Sequence, residues 1–300
     1  MSSPSGPEPV STFDPRSADH ASRLALIVQQ ATRVDGQPPF SDQSLVDLRS
    51  GAREGLAIER HGILSGIALV TTDGWPREAE LVVSPTMRRR GDGGRLLENL
   101  LERAGGDLLI WAHGDHPAAR VLAMRHSLQP ARQLLQLRAA LEGVAVVPGS
   151  ADGIASFRPG IDDGEWLEIN AAAFADHPEQ GSLSQHDLDA RMSATWFDAD
   201  DFLVARDATG TMTGFCWLKV DDGGAEETVG EFYAVGVSPD AQGSGLGRRL
   251  VNAGLARLRS RGIRAASLYV EADNLPAVAL YRSVGFVDHT IDIQYAARRP

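Results

Sequence analysis

The sequence predicts a chain of two tandem copies of one α/β fold, each a mixed sheet with helices on both faces. Three observations predict it. The chain has 300 residues, comfortable for two domains of about 150. Two long stretches repeat one pattern at a nearly constant offset. Within each copy the elements run β-β-α-β-α-β, an order that layers helices over a mixed sheet.

The repeat is read from aligned punctuation. AELVVSPTMRRRGDGGRLLENLL (79–101) and YAVGVSPDAQGSGLGRRLVNAGL (233–255) each give an apolar strand, Ser-Pro, a spacer, a glycine-rich turn and an amphipathic helix. Ser84-Pro85 aligns with Ser238-Pro239, Gly91 with Gly245 and Gly93 with Gly247. Leu96, Leu97, Leu100 and Leu101 then match Leu250, Val251, Gly254 and Leu255, the rhythm of one buried helix face. Downstream, residues 107–140 parallel 264–297: a strand, a loop with Pro-Ala, a short helix and a terminal strand. Gly91 and Gly245 lie 154 residues apart, and Pro117 and Pro276 lie 159 apart.

The other elements can be placed in chain order. Residues 1–12, MSSPSGPEPVST, lack the basic and apolar regions of a signal peptide and read as a disordered lead-in. The first domain is expected over 13–140 and the second over 154–300, joined by a Pro/Gly/Ser-bearing linker at 141–153. Each copy opens with a helical region, roughly 17–33 and 162–174, and then supplies paired strands at 56–72 and 201–220. Asp207-Ala208-Thr209-Gly210 supplies hairpin turn chemistry in the second pair.

Composition narrows function. The hydrophobic fraction is 43% and the charged fraction 23%, normal for soluble chains, and no apolar run nears the ~20 residues of a membrane span. A single cysteine, Cys216, in the apolar run GFCWLKV, allows no intrachain disulfide and reads as a packed strand residue in a cytoplasmic protein. The net charge of −11 argues against a nucleic-acid partner. Arg88-Arg89-Arg90 and Arg248-Arg249 are exceptions, and their place beside glycines at helix starts points to a small phosphate-bearing ligand. His113, His116 and His177 lack a third ligand at suitable spacing, so no metal is expected. No dimerisation signature is present, and a monomer is expected.

Gln242-Gly243-Ser244-Gly245-Leu246-Gly247-Arg248 carries the strongest chemical signal. It joins a strand ending at Val237 to a helix beginning near Gly247. Glycines admit positive φ and close backbone approach, and N–H groups at a helix start cradle phosphate. A dinucleotide fold or any tight left-handed turn shares these features. The turn falls too late in its domain for a dinucleotide fingerprint, and it lacks the Gly-Lys-Ser/Thr of a P-loop. Downstream of it the chain reads EADNLPAVALYRSVGF (271–286).

The pattern V-x-P-x-x-Q-G-x-G-L-G-R-x-L, then N-x-x-A-x-x-L-Y-x-x-x-G-F, resembles the GCN5-related N-acetyltransferases over nearly the whole C-terminal half. The degenerate first copy resembles the same fold. With the loop-like segments at 32–41 and 173–181, the chain resembles a tandem-domain branch of that family. Members of that branch acetylate the cysteinyl amine of a cysteine–glucosamine–inositol conjugate.

The resemblance implies acetyl-coenzyme A as cosubstrate and a small-molecule amine as acceptor. It implies that Val235, Gly236 and Val237 splay from the neighbouring strand toward pantetheine and thioester. Gln242, Gly243, Ser244, Gly245, Leu246, Gly247 and Arg248 would wrap the pyrophosphate. Asn274, Leu275, Pro276, Ala277, Val278 and Ala279 would line the cofactor's other side. Tyr281 would give its proton to the departing thiolate, and Glu231 would take the proton that the ammonium must lose before attack. Asp35, Glu179, Lys219 and Tyr269, with Glu231, would contact the amine substrate.

In the first copy the same alignment marks Leu81, Val82, Val83, Arg88, Arg89, Arg90, Gly91, Asp92 and Gly93 as the matching cofactor positions. This copy reads as structural, as a docking surface through Asp35 or as a vestigial cofactor site; the structural reading is favoured, with its turn still suited to a pyrophosphate. There Asp115 stands for Asn274, Leu122 for Tyr281 and Arg77 for Glu231, so this copy is expected to be inactive. Two other readings stay open: an acetyltransferase for an antibiotic or a protein N-terminus, and a non-catalytic acyl-coenzyme A sensor.

Overall fold

The computed structural model describes residues 9–105, 107–143, 153–175, 180–220 and 228–297. The chain divides into two compact units, 1–134 with 290–300, and 135–289. The division departs from two contiguous halves, because the last eleven residues belong to the first unit.

In chain order the first half supplies β1 (Ser11–Phe13), α1 (Ala18–Asp35), α2 (Asp42–Ser50), β2 (Arg53–Arg60), β3 (Ile63–Thr71), β4 (Arg77–Val83), α3 (Asp92–Ala104), β5 (Leu108–Ala112), α4 (Pro117–Arg125) and β6 (Gln129–Ala140). The second supplies β7 (Ile154–Ser156), α5 (Asp163–Ala173), α6 (Gln185–Met192), β8 (Phe202–Arg206), β9 (Met212–Val220), β10 (Val229–Val237), α7 (Leu246–Ser260), β11 (Ala265–Glu271), α8 (Leu275–Ser283) and β12 (Val287–Ala297).

In the first unit the strand order is β1-β2-β3-β4-β5-β12. Residues 11 and 12 belong to this sheet rather than to the lead-in: β1 pairs antiparallel with β2, and Phe13 is buried. Glycine at 55 permits the approach, since a Cβ there would lie 2.9 Å from the Phe13 Cβ. Residues 1–8 and most of the expected linker lie outside the described residues. Ser17 caps α1 by accepting from the His20 N–H, and Gly36 closes it at φ +76°. Leu96, Leu97 and Leu100 of α3 pack on Leu56, Ala68, Leu108 and Ile110, with Ile293 and Tyr295 of β12 in the same cluster. The other face of β2 and β3 is covered from α1 and α2 by Ile27, Ala31 and Leu48.

In the second unit the order is β6-β11-β10-β9-β8-β7, with residues 135–140 of β6 contributing. The expected hairpin is present: β8 and β9 pair antiparallel, and Gly210 donates to the Asp207 carbonyl at 3.1 Å. On one face Leu250, Val251, Leu255 and Leu258 of α7 and Val278 and Tyr281 of α8 pack on Cys216, Leu218, Phe232 and Leu268. The other face carries an aromatic core of Trp166, Phe202, Phe215 and Trp217, with the Phe202 and Trp217 rings stacked at 4.2 Å. Each such fully buried side chain contributes about 1.5–3 kcal/mol of transfer free energy.

Candidate active site

The site grows from an irregularity in β10. This strand pairs parallel with β11 from Val229 opposite Ala265 to Phe232 opposite Leu268. Against β9 its antiparallel pairing continues to Val237, with a register shift between Phe232 and Ala234 that leaves Tyr233 as a bulge. From Ala234 to Val237 the backbone is therefore paired on the β9 side while β11 has parted from it. Val235, Gly236 and Val237, expected to splay, lie in this stretch. Gly236 is sterically required there, because a Cβ would come within 2.5 Å of the Phe215 ring.

Beyond the strand, Ser238-Pro239 leads through a short helical turn into the glycine-rich loop. Gly243 and Gly245 have φ of +75° and +85°, and apart from their neighbours in the chain no described residue stands within 4 Å of where a Cβ would be. Gly245 opens α7 without a side-chain cap, so the first-turn N–H groups have no side chain of their own to satisfy them. The Gln242 and Ser244 side chains turn back to the carbonyls of Val237 and Ala241, at 3.5 and 2.6 Å. An uncapped helix start behind open glycines has the backbone donors and positive dipole end that suit a phosphate. The residues present thus fit a pyrophosphate-bearing ligand. Gly247 brings α7 close to α8, where its Cβ would meet Leu280 at 3.3 Å.

Asn274 caps α8 by accepting from the Ala277 N–H at 3.2 Å. Its carboxamide oxygen is thus engaged, and its NH2 is the part left to offer a ligand. Leu275 is exposed, while Val278 is buried in the core. Tyr281, on the same helix, is buried edge-on to Phe286 at 5.9 Å. Burial pushes its phenol well above the ordinary tyrosine range, with the nearby Cys216 adding to the effect, so the group stays protonated. Burial likewise raises the Cys216 thiol far above its usual range, which removes it as a nucleophile.

Glu231 lies opposite Lys219 on β9 and opposite Ser267 on β11. Residues directly opposite share a face and alternate residues return to it, so Glu231, Lys219, Ser267 and Tyr269 present to one side. That side is the one away from α7 and α8, since neighbouring Phe232 packs toward those helices. Three predicted substrate residues, Glu231, Lys219 and Tyr269, are thus brought together. Tyr281 is on the opposite face, and the gap between β10 and β11 is the break in the sheet between them.

Sequence reasoning missed much of this face. Gln136 donates from Nε2 to the Tyr269 hydroxyl at 2.9 Å. Arg191 donates from Nε to the Tyr233 hydroxyl at 3.0 Å, and the Lys219 ammonium lies 5.7 Å from the Trp196 ring centre. The available signal was the polar alternation of Gln136 and Arg138 in β6, which reads as part of the first copy. Glu179 lies outside the described residues.

The first unit holds a second version. β4 pairs parallel with β5 only from Arg77 to Glu80, so Leu81, Val82 and Val83 run past the end of that pairing. Gly91 opens α3 at φ +90°, again without a side-chain cap, and Gly93 packs beside Leu122. Here the turn's side chains have partners within the unit. Arg88 donates to both carboxylate oxygens of Asp35, at 2.7 and 2.5 Å, and lies 3.3 Å from the His116 ring. Asp35 therefore sits in an ion pair at the end of α1. Asp92 is buried, and burial alone would raise its pKa. Hydrogen bonds from Arg60 and Ser65 outweigh that and hold its carboxyl below the usual range. Arg60 also donates to the Arg90 carbonyl, and Arg89 takes φ +63°.

Beside this turn, His113 bridges Glu80 and Asp292 at 3.1 and 2.9 Å. Burial would lower its pKa, but the hydrogen bonds and charges of Asp292 and Glu80 outweigh it and raise the pKa to about 9. A raised folded-state pKa stabilises below the unfolded value near 6.5 and is lost as pH climbs through about 9. We expect on the order of 3 kcal/mol at most from this group. His113→Gln should flatten the fall in unfolding free energy between pH 6.5 and 9 seen by denaturant titration. An unchanged slope would remove His113 as its source.

Two compact α/β units, one with a parted strand beside an open glycine-started helix, define a tandem N-acetyltransferase. The profile of the acetyltransferase (GNAT) family matches residues 166–286. The chain belongs to the mycothiol acetyltransferases. It is 46% identical to the mycothiol acetyltransferase of Streptomyces avermitilis, covering 95% of this chain and 94% of that one. It is 43% identical to that of Thermomonospora curvata, covering 93% and 94%. Among solved structures, a GCN5-related N-acetyltransferase from Sphaerobacter thermophilus matches with a TM-score of 0.77 at 21% identity, over 97% of this chain and 96% of that one. A tandem GNAT protein from the clavulanic acid biosynthesis pathway matches at 0.73 and 17%, over 96% and 97%. These two share the fold. No helix among the described residues is long and apolar enough to cross a membrane.

Proposed function

We propose that the second unit transfers the acetyl group of acetyl-coenzyme A to the cysteinyl amine of a cysteinyl-glucosaminyl-inositol conjugate, the step that forms mycothiol. The observation that carries this reading is the break between β10 and β11, flanked by the open hollow at 242–248, with Glu231 on one side and Tyr281 on the other. Acetyl-coenzyme A supplies an activated acyl thioester. N–H groups of the glycine loop and the start of α7 hold its pyrophosphate, and the amide of Asn274 holds the pantetheine arm. Backbone N–H groups of the parted segment of β10 hold the thioester oxygen as it gains charge.

Glu231, directly or through a water, takes the proton from the ammonium, and the free amine attacks. Tyr281 gives its proton to the departing sulfur as the C–S bond breaks, and the second proton lost by the attacking nitrogen passes through solvent and restores the phenol. Lys219 and Tyr269 hold polar groups of the amine substrate, with Glu179 as a further contact. The first unit, with Leu122, Asp115 and Arg77 at the corresponding positions, is inactive and retains a turn suited to a pyrophosphate.

A thiol-release assay tests the substrate. The sugar-borne cysteinyl amine should exceed peptide N-termini and simple amines in kcat/KM by about 100-fold or more, as expected when a polar site fitted to sugar hydroxyls meets acceptors lacking them. Equal rates across the panel would overturn this substrate.

A further inference from the structure

Gln136 is 7% exposed, deep in β6, yet it carries a primary amide on a strand whose neighbours Leu135, Leu137 and Ala139 fill the apolar core. Alternation turns Gln136 and Arg138 to the opposite face, the one bearing Glu231, Lys219 and Tyr269. There its Nε2 donates to the Tyr269 hydroxyl at 2.9 Å, while its Oε1 and the Arg138 Nε are buried without a hydrogen-bond partner among the described residues. A buried amide with an unsatisfied oxygen costs about 1–3 kcal/mol, so an apolar residue of similar shape would serve the core better. The cost must be offset by something the amide does at Tyr269.

Tyr269 is 44% exposed and stands on the strand that carries Ser267, the register partner of Glu231. The Gln136 amide N–H holds the phenol oxygen from the neighbouring strand. We infer that Gln136 is a positioning residue that holds the Tyr269 hydroxyl where the amine substrate meets it, at a sugar hydroxyl or the cysteinyl amide oxygen. This rests on the reading of Tyr269 as a substrate contact under the proposed function. Arg138 extends the polar strip along the same strand.

The test is a double-mutant cycle of Gln136→Met, a near-isostere without the donor, and Tyr269→Phe, read by steady-state kinetics on the sugar-borne cysteinyl amine. Tyr269→Phe should raise the KM for the amine about 10-fold, and Gln136→Met about 5-fold, the worth of one neutral hydrogen bond. For both, kcat and the KM for acetyl-coenzyme A should stay within about twofold. The double variant should match Tyr269→Phe alone, because the amide acts only through the hydroxyl. Additive effects, or an equal change in the KM for acetyl-coenzyme A, would make Gln136 merely structural and overturn the inference. No effect of Tyr269→Phe would instead remove Tyr269 from the substrate site, and the inference with it. A normal KM in Gln136→Met beside a raised one in Tyr269→Phe would sink the inference and leave the Tyr269 reading standing.

Discussion

Tyr281→Phe is expected to lower kcat by about 100-fold or more, the usual worth of a positioned general acid. The affinity for acetyl-coenzyme A should hardly change. The ring keeps its place in the core and its edge contact with Phe286, so the substitution removes the proton and little else. Because burial holds the phenol protonated far above the ordinary tyrosine range, the wild-type enzyme should show no alkaline loss of kcat from this group near neutral pH. Single-turnover thiol release gives the chemical step, and calorimetry gives acetyl-coenzyme A binding. A kcat within twofold of wild type would end the general-acid role of Tyr281.

Glu231→Gln is the second large effect. Below the pKa of the cysteinyl ammonium most of the substrate arrives protonated, and a base must remove the proton before attack. The amide isostere keeps the size of the side chain and its place opposite Lys219 and Ser267 but cannot take a proton. We expect kcat/KM to fall by about 100- to 1,000-fold below that pKa, with the deficit shrinking as pH rises through it. The pH–rate profile decides: a deficit constant across pH would assign Glu231 to substrate binding rather than to proton removal.

Much of this was legible because it is local. A glycine turn between an apolar strand and an amphipathic helix has the same meaning wherever it stands, so Gly91 and Gly245 could be matched 154 residues apart. Both open helices in the left-handed conformation, which only glycine adopts at little cost. Leu122, Asp115 and Arg77 could be set against Tyr281, Asn274 and Glu231 for the same reason. The cluster of Glu80, His113 and Asp292 was not legible in this way. Its members come from β4, from the turn after β5 and from β12, nearly 180 residues later, and no short-range pattern links them. Gln136 was hidden similarly, since its strand reads as the end of the first copy while its amide serves the second unit.

Residue order alone carries the repeat, the glycine turns, the recurring β-β-α-β-α-β elements of each copy (β1, α2, β7 and α6 were not among them), and the difference between a copy that keeps Glu231 and Tyr281 and one that does not. Hydrophobic period and turn chemistry act within a few residues, and they suffice for that. Which strands pair is a property of the folded chain. The fold placed residues 290–297 with β5 in the first unit and 135–140 with β11 in the second. It also parted β10 from β11 after Phe232, and put Glu231 and Tyr281 on opposite faces of the sheet. β6 and β12 carry the same alternating pattern, so either suits either partner locally. Their pairing is set by the joint burial of Leu137 and Ala139 in one core and Ile293 and Tyr295 in another.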